Sequence, residues 1–304
     1  MKLTKISKDF TPLDVGIIFG IDTESDTPNN LQVEIVESLS GEVVATQQLR
    51  QVCQAELNIA PYIERFAERT PSQRPYTTFT DAPTATHHIR IGDATSHSTT
   101  TSVNRVQVAT PALVSAMPHL RTIPQGGHDE VMILADEGAL ISANITTDKG
   151  EELSLDYTSP TGAVLLTLAT ADFALECRTI EVALSCDGSQ IGQLRYNIAP
   201  NRKSAVRLAW ISEQGTIERY TFPALTSATH KADEHTVTLQ SHYEPRATID
   251  ALAQIVAAPK VWIERNSSYR EVEVATSTID YNLFGEPDSI AIALSVKRGE
   301  EVLW

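Results

Sequence analysis

Apolar and polar positions alternate along most of the chain. Leu31-Gln32-Val33-Glu34-Ile35-Val36 reads apolar, polar, apolar, then Ser40-Gly41 marks a turn and Val43-Val44 resumes. A period of two places alternate side chains on opposite faces of a strand. The same pattern returns at Val131–Leu134, Leu140–Ile145, Leu153–Tyr157, Val164–Leu168, Ile180–Leu184 and Ile191–Tyr196. Short strands with turn residues every 8–12 positions predict antiparallel sandwiches or barrels. Val206–Trp210, the turn Ser212–Gly215 and Ile217–Phe222 predict a hairpin with an aromatic-rich far arm. Trp210, Tyr220 and Phe222 alternate on it and are expected in a core, as is Trp262. Val15–Ile21 is read as the first strand.

Helical spacing is scarce. Pro61–Arg69 is long enough for two turns. Over Arg246–Ala258, Ile249, Leu252, Ala253 and Val256 fall at i, i+3, i+4 and i+7, on one face. Pro245 starts that helix and Pro259 stops it. The predicted fold is mainly β: two tandem antiparallel β-sandwich domains, duplicated, followed by a small α+β domain with one short helix. The boundaries fall at 1–110 for the first sandwich, 111–126 for a connector rich in Pro and Gly, 127–223 for the second sandwich and 224–304 for the α+β domain.

The duplication rests on two ordered matches. Gln54-Ala-Glu-Leu-Asn-Ile-Ala-Pro61 resembles Gln193-Leu-Arg-Tyr-Asn-Ile-Ala-Pro200, and Val33-Glu34-Ile35 with Ser38 and Gly41 parallels Ile180-Glu181-Val182 with Ser185 and Gly188. In both copies the Asn-x-x-Pro step is a strand stop: Asn bonds to local backbone and Pro lacks the N–H that pairing needs.

Residues 71–104 stand apart, dominated by Thr, Ser, Pro and His. Within this stretch, the composition of 76–102 predicts an extended hairpin or an exposed loop that builds no core and whose deletion leaves the fold intact. It is the expected contact region, with Thr77, Thr78, His87, His97, Thr99 and Thr101 as its candidate residues.

Composition narrows function by exclusion. The 304 residues carry a net charge of −15, which repels phosphate backbones and argues against nucleic acid as a partner. No apolar run approaches the ~18 residues of a membrane-spanning helix. Cys177 and Cys186 lie nine positions apart on what reads as one strand, about 30 Å at 3.3 Å per residue, too far to bridge. Reduced thiols and the missing cleavage site after Ile21 point to cytoplasmic synthesis without a signal peptide. The nucleophile elbow, phosphate-binding loop, zinc-protease helix and Cys-x-x-Cys are not found, so no catalytic residues, cofactor or metal are assigned. His87 and His88 point to opposite faces of a strand; only His87 and His97 could meet across a hairpin.

Three stretches carry a resemblance. Phe10–Leu13 leads into Val15–Phe19, Val33–Val36 and Leu57–Ile59; Arg207–Gly215 leads to Tyr220-Thr-Phe222; Val237–Leu239 precedes the helix ending Ala258-Pro259, then Val261–Ile263, Val272–Val274 and Ile290–Val296. Together they resemble structural proteins of phage or prophage tails and baseplates, a kind common in Bacteroidetes genomes. The Ser/Thr-rich 76–102 departs from that pattern, and Ser212 stands where such proteins often have Asn. The resemblance implies a non-enzymatic, oligomeric subunit that acts through protein–protein contacts with other tail or baseplate proteins in a virion or phage-tail-like particle. The competing reading is an adhesin or carbohydrate-binding protein on tandem sandwiches, with a surface glycan as partner.

Overall fold

In the computed structural model the described residues are 1–13, 15–63, 70–73, 76–102, 108–202, 205–231, 234–265, 268–276 and 289–297. Among the described residues the chain is mainly β, in largely antiparallel sheets, with one α-helix of eight residues and a single helical turn of four. It divides into two compact units, Met1–Arg69 with Ala82–Ala109, and Thr70–Asp81 with Thr110–Trp304. The chain therefore leaves the first unit at 69, lends twelve residues to the second, returns at 82 and departs finally at 109.

The first unit opens with β1 (Lys2–Lys5), ahead of the predicted first strand, which begins later than expected as β2 (Ile18–Asp22). It continues with β3 (Asn29–Glu37), β4 (Val43–Val52), β5 (Gln54–Asn58) and a single turn, α1 (Ala60–Ile63). The rest of the predicted helix at Pro61–Arg69 lies outside the described residues. After β6 (Thr78–Asp81), which belongs to the second unit, come β7 (Thr84–Ile91), β8 (Ala94–Thr95) and β9 (Thr99–Ser102). The order is β1-β2-β5 in one sheet and β4-β3-β7-β8 in the other, with β9 also on β7. Phe19, Ile21, Val33, Ile35 and Ile89 are buried, as their alternation requires. Asn58 stops β5 by the expected route: its side-chain oxygen accepts from the Ala60 N–H at 3.0 Å and the Ile17 N–H at 2.9 Å. The two matched segments make different pairings. β5 pairs with β2, whereas Gln193–Ala199 pairs with 179–186 and, in parallel, with 120–124.

The second unit contains β10 (Ala112–Val114), β11 (Leu120–Pro124), β12 (His128–Leu134), β13 (Leu140–Thr147), β14 (Glu152–Thr158), β15 (Ala163–Ala169), β16 (Thr179–Cys186) and β17 (Ser189–Ala199). Sheet β10-β12-β15-β6 packs on β11-β17-β16-β13-β14 around Ile133, Ile141, Ile145, Leu166, Val182 and Leu194. The stretch read as a connector thus supplies an edge strand to each sheet, and Pro124 is tolerated because it ends one of them.

The remaining strands are β18 (Val206–Ile211), β19 (Ile217–Phe222), β20 (Ala224–Lys231), β21 (Glu234–Gln240), β22 (Val261–Arg265), β23 (Ser268–Val274) and β24 (Ala291–Lys297), in the order β19-β18-β22-β23-β24-β21-β20. The β18–β19 hairpin, assigned from sequence to the second sandwich, is part of this sheet. Its aromatic residues decide the matter: Trp210, Tyr220 and Phe222 pack with Ile249, Leu252 and Ile255 of the predicted helix, α2 (Arg246–Ala253) and its 3₁₀ extension Gln254–Ala257.

Every residue of β12 and β15 is buried. Val131 and Ile133 face the sandwich core, so His128, Glu130, Met132 and Leu134 project from the other side. That side meets the seven-stranded sheet through His128 with Tyr269 and Glu130 with Arg219. A strand covered on both faces carries an unbroken apolar run, as in Val131-Met-Ile-Leu-Ala135 and Ala163-Val-Leu-Leu.

Residues 76–102 are not a removable loop. They supply β6–β9, and Phe79 and Ile89 are core residues. Deleting them is expected to abolish the cooperative urea transition rather than leave it intact, since β3 and β15 would each lose a strand partner.

Candidate functional site

Four of the six predicted contact residues are inside the protein. His87, Thr99 and Thr101 are 0% exposed, and Thr77 is 9% exposed. Thr78 is half-buried and His97 alone is exposed. The prediction mistook threonine for a surface residue. A threonine on a strand buries its methyl group, and its hydroxyl can bond locally. Thr101 does this by donating to Ala85 O at 3.0 Å, and the Thr77 hydroxyl accepts from the Ala169 N–H at 3.0 Å. His87 pairs with Thr99 across β7 and β9 and is buried, whereas His97 is exposed. Among the described residues, no group of three or more His, Cys, Asp and Glu side chains is placed to hold a metal.

The conspicuous chemistry lies where the sandwich meets the seven-stranded sheet. Three guanidiniums, Arg121, Arg207 and Arg219, face four carboxylates, Asp129, Glu130, Glu218 and Glu264. All seven residues have side chains under 10% exposed. Arg121 reaches Asp129 at 2.6 Å and Glu218 at 3.7 Å, and also donates to Pro118 O and to the Ser115 hydroxyl. Glu218 accepts from Ser115 Oγ at 2.9 Å, the Ala116 N–H at 2.7 Å and Thr216 Oγ1 at 2.6 Å. Arg207 spans Glu264 at 3.1 Å, Thr221 Oγ1 at 2.8 Å and His128 O at 2.6 Å. Arg219 donates from Nε to Tyr269 Oη at 3.2 Å, lies 5.7 Å from that ring's centre, and has Glu130 Oε2 at 3.9 Å.

Burial alone disfavours the charges of Asp129, Arg121 and Arg219, and their charged neighbours reverse it. Burial opposes ionisation of Asp129, but Arg121, Arg207 and Arg219 hold its carboxyl below the usual range. Burial likewise opposes the charge on Arg121, and Asp129 more than offsets it, so the guanidinium stays charged. Burial pushes the Tyr269 hydroxyl up to about 12.

His128 sits at the centre. Its Nε2 is 3.0 Å from Ser72 O and 2.9 Å from Tyr269 Oη, and its Nδ1 is 3.7 Å from Glu264. A carbonyl only accepts, so Nε2 carries the proton and donates to Ser72. Burial, then the nearby Arg219 and Arg207, depress its pKa, against the pull of Glu264. The folded state therefore holds His128 neutral, and the unfolded chain binds its proton first as pH falls. The stability is present above the ordinary histidine value of 6.5 and is lost as pH drops toward the lower folded value. His87 and His88 are shifted in the same direction. Unfolding free energy is expected to fall between about pH 7 and pH 5, with a shallower slope in His128→Gln; an unchanged slope in the variant would remove His128 from the account.

None of the seven charged residues lines any of the three clefts described, and Thr221, which accepts from Arg207, lines the third. Two are in the first unit, of about 520 Å³ over Gly20, Ile21 and Gln54 and about 620 Å³ between Lys2–Lys5 and His97-Ser98. The third, about 110 Å³, lies in the second unit beside Pro124, Pro200 and His242. The site's geometry is that of a joint: each charged group reaches across or along the two sheets, and no charged member lines a described cleft.

No protein-family model matches the chain, and no curated protein matches it. Among solved structures, the chicken interferon gamma receptor alpha chain is similar at 11% identity over 66% of this chain and 98% of that one, with a TM-score of 0.21. A superposition that poor carries no argument about function.

Sequence reasoning passed over this site because its members are dispersed over 115–269. The local signal was present in His128-Asp-Glu-Val-Met-Ile-Leu134 and Ile217-Glu-Arg-Tyr-Thr-Phe222. In each, adjacent charges sit inside a run that otherwise demands burial.

Proposed function

We propose that the chain is a non-enzymatic structural subunit that acts through the surfaces it presents to other proteins, in a phage-tail-like assembly of the kind its sequence resembles. The observation that carries this reading is the use of the buried charges. Seven ionisable side chains converge, the arrangement an enzyme also uses, yet they pair mainly with one another and with backbone groups of two packed sheets, leaving Asp129 Oδ1 and Arg219 Nη1 and Nη2 without a hydrogen bond among the described residues. Such a network fixes the mutual position of the sheets, as a part of a stacked assembly requires. The high negative charge keeps the free protein soluble and favours partners of complementary charge.

The test is location. Particles released from cells of the source organism after prophage induction are purified by density gradient and analysed by mass spectrometry. The chain is expected to co-sediment with tail-like particles. Its recovery only in the soluble fraction, while tail components band in the gradient, contradicts the reading.

A further inference from the structure

We infer that β4 is a homotypic interface, at which a second copy of this chain pairs antiparallel with the first and joins the two β4-β3-β7-β8 sheets edge to edge. This deepens the structural reading above by naming a partner and a surface.

Among the described residues β4 pairs only with β3 and is the terminal strand of its sheet. It is ten residues long, longer than any other strand ending a sheet here; β14 has seven and β20 eight. Natural edges are blunted by lysine, proline, inward charges or bulges. β4 has no lysine, proline or acidic residue, and its one charge is Arg50. Register shifts occur toward its two ends, between Asn29 and Leu31 and between Ile35 and Val36 of its partner, and they frame an uninterrupted register from Ala45 opposite Ile35 to Leu49 opposite Leu31. Thr46, Gln48 and Arg50 are exposed, and Ala45, Gln47 and Leu49 are half-buried on the other face, where Tyr62 of α1 bonds Gln47 at 2.9 Å.

Charge restricts where two copies can meet. A second copy brings its own −15, so two chains meet best where neither offers a carboxylate. The other long edge of known side chains, β14, carries Glu152 and Asp156, and β5 carries Glu56. In β4 a two-fold axis normal to the sheet sets residues of like face opposite each other, so the axis falls on a residue, Gln47 or Gln48. Centred on Gln47, Thr46 faces Gln48 of the second copy and Val44 faces Arg50; centred on Gln48, Thr46 faces Arg50 and Val44 faces Val52. Neither register opposes two charges, and both place glutamine or threonine side chains to bond across the seam.

The experiment uses the full chain in analytical ultracentrifugation over a dilution series. The wild type is expected at twice 33.2 kDa, dissociating on dilution. Thr46→Lys with Gln48→Lys sets lysines opposite each other in either register, while within the sheet position 46 faces Glu34 and position 48 faces Gln32; this variant is expected at 33.2 kDa with its melting temperature retained. A wild type that sediments as one chain throughout, or a variant that stays paired, overturns the proposal. Should the variant not fold, amide exchange on the wild type decides: alternate amides of Ala45–Leu49 slow in concentrated and fast in dilute protein support it, and concentration-independent exchange overturns it. A single-chain wild type found in tail-like particles refutes this interface alone and leaves the structural reading standing.

Discussion

Asp129→Ala is expected to cost about 3–5 kcal/mol of stability in urea unfolding, among the largest losses from any single charged residue in the chain. The substitution removes the carboxylate that compensates Arg121 at 2.6 Å and leaves a fully buried guanidinium beside Pro118 O, Ser115 and a more distant Glu218. The loss is a penalty for an orphaned charge rather than the worth of the pair, so Arg121→Met combined with Asp129→Leu is expected to recover most of it. The pH dependence should follow. The Asp129 contribution is present above the ordinary carboxylate value of 3.8 and disappears as pH falls through its lowered folded value. Equal stabilities for Asp129→Ala and wild type at neutral pH would mean that the pair contributes nothing.

Phe79→Ala is the second large effect, at about 3–5 kcal/mol for a buried phenylalanine. Phe79 belongs to the short segment 70–81 that crosses into the second unit. It packs in the sandwich core 6.0 Å from the Tyr157 ring. Other ties of the segment include four register pairs with β15, the Thr77 N–H to Asp172, the Thr77 hydroxyl to Ala169 and the Ser72 carbonyl to His128. With the ring gone, protease cleavage near residue 76 is expected to accelerate before global unfolding does. Unchanged cleavage alongside a lowered urea midpoint would show that Phe79 supports the core without anchoring the segment.

The strands were legible because each alternates for itself: Leu31–Val36 and Ile180–Leu184 state their pairing faces without reference to the rest of the chain. The helix Arg246–Ala253 was legible for the same reason, with Pro245 and Pro259 around it. What the sequence did not show is which sheet a strand joins. The β18–β19 hairpin looks the same in either domain until Trp210 and Phe222 meet Leu252 and Ile255. The Thr-rich stretch misled because composition reports average polarity, whereas burial depends on alternation and on local hydroxyl bonds, as at Thr99 and Thr101. The charge network was hidden for a topological reason. Arg121, Asp129, Glu218 and Glu264 are neighbours only after three sheets have stacked, and no spacing rule links them.

Buried charges are expected to lock β12 to the seven-stranded sheet, so that the two cores of the second unit behave as one body. Native-state amide hydrogen exchange in graded urea measures this directly. The amides of β13 and β16 in the sandwich, and of β18 and β22 in the adjoining sheet, are expected to converge on a single opening free energy and urea dependence. In Glu218→Ala, which removes the carboxylate that ties β19 to Arg121, Ser115 and Ala116, the two sets should separate. If the wild-type sets already open independently, at different free energies, the network locks nothing and the account fails.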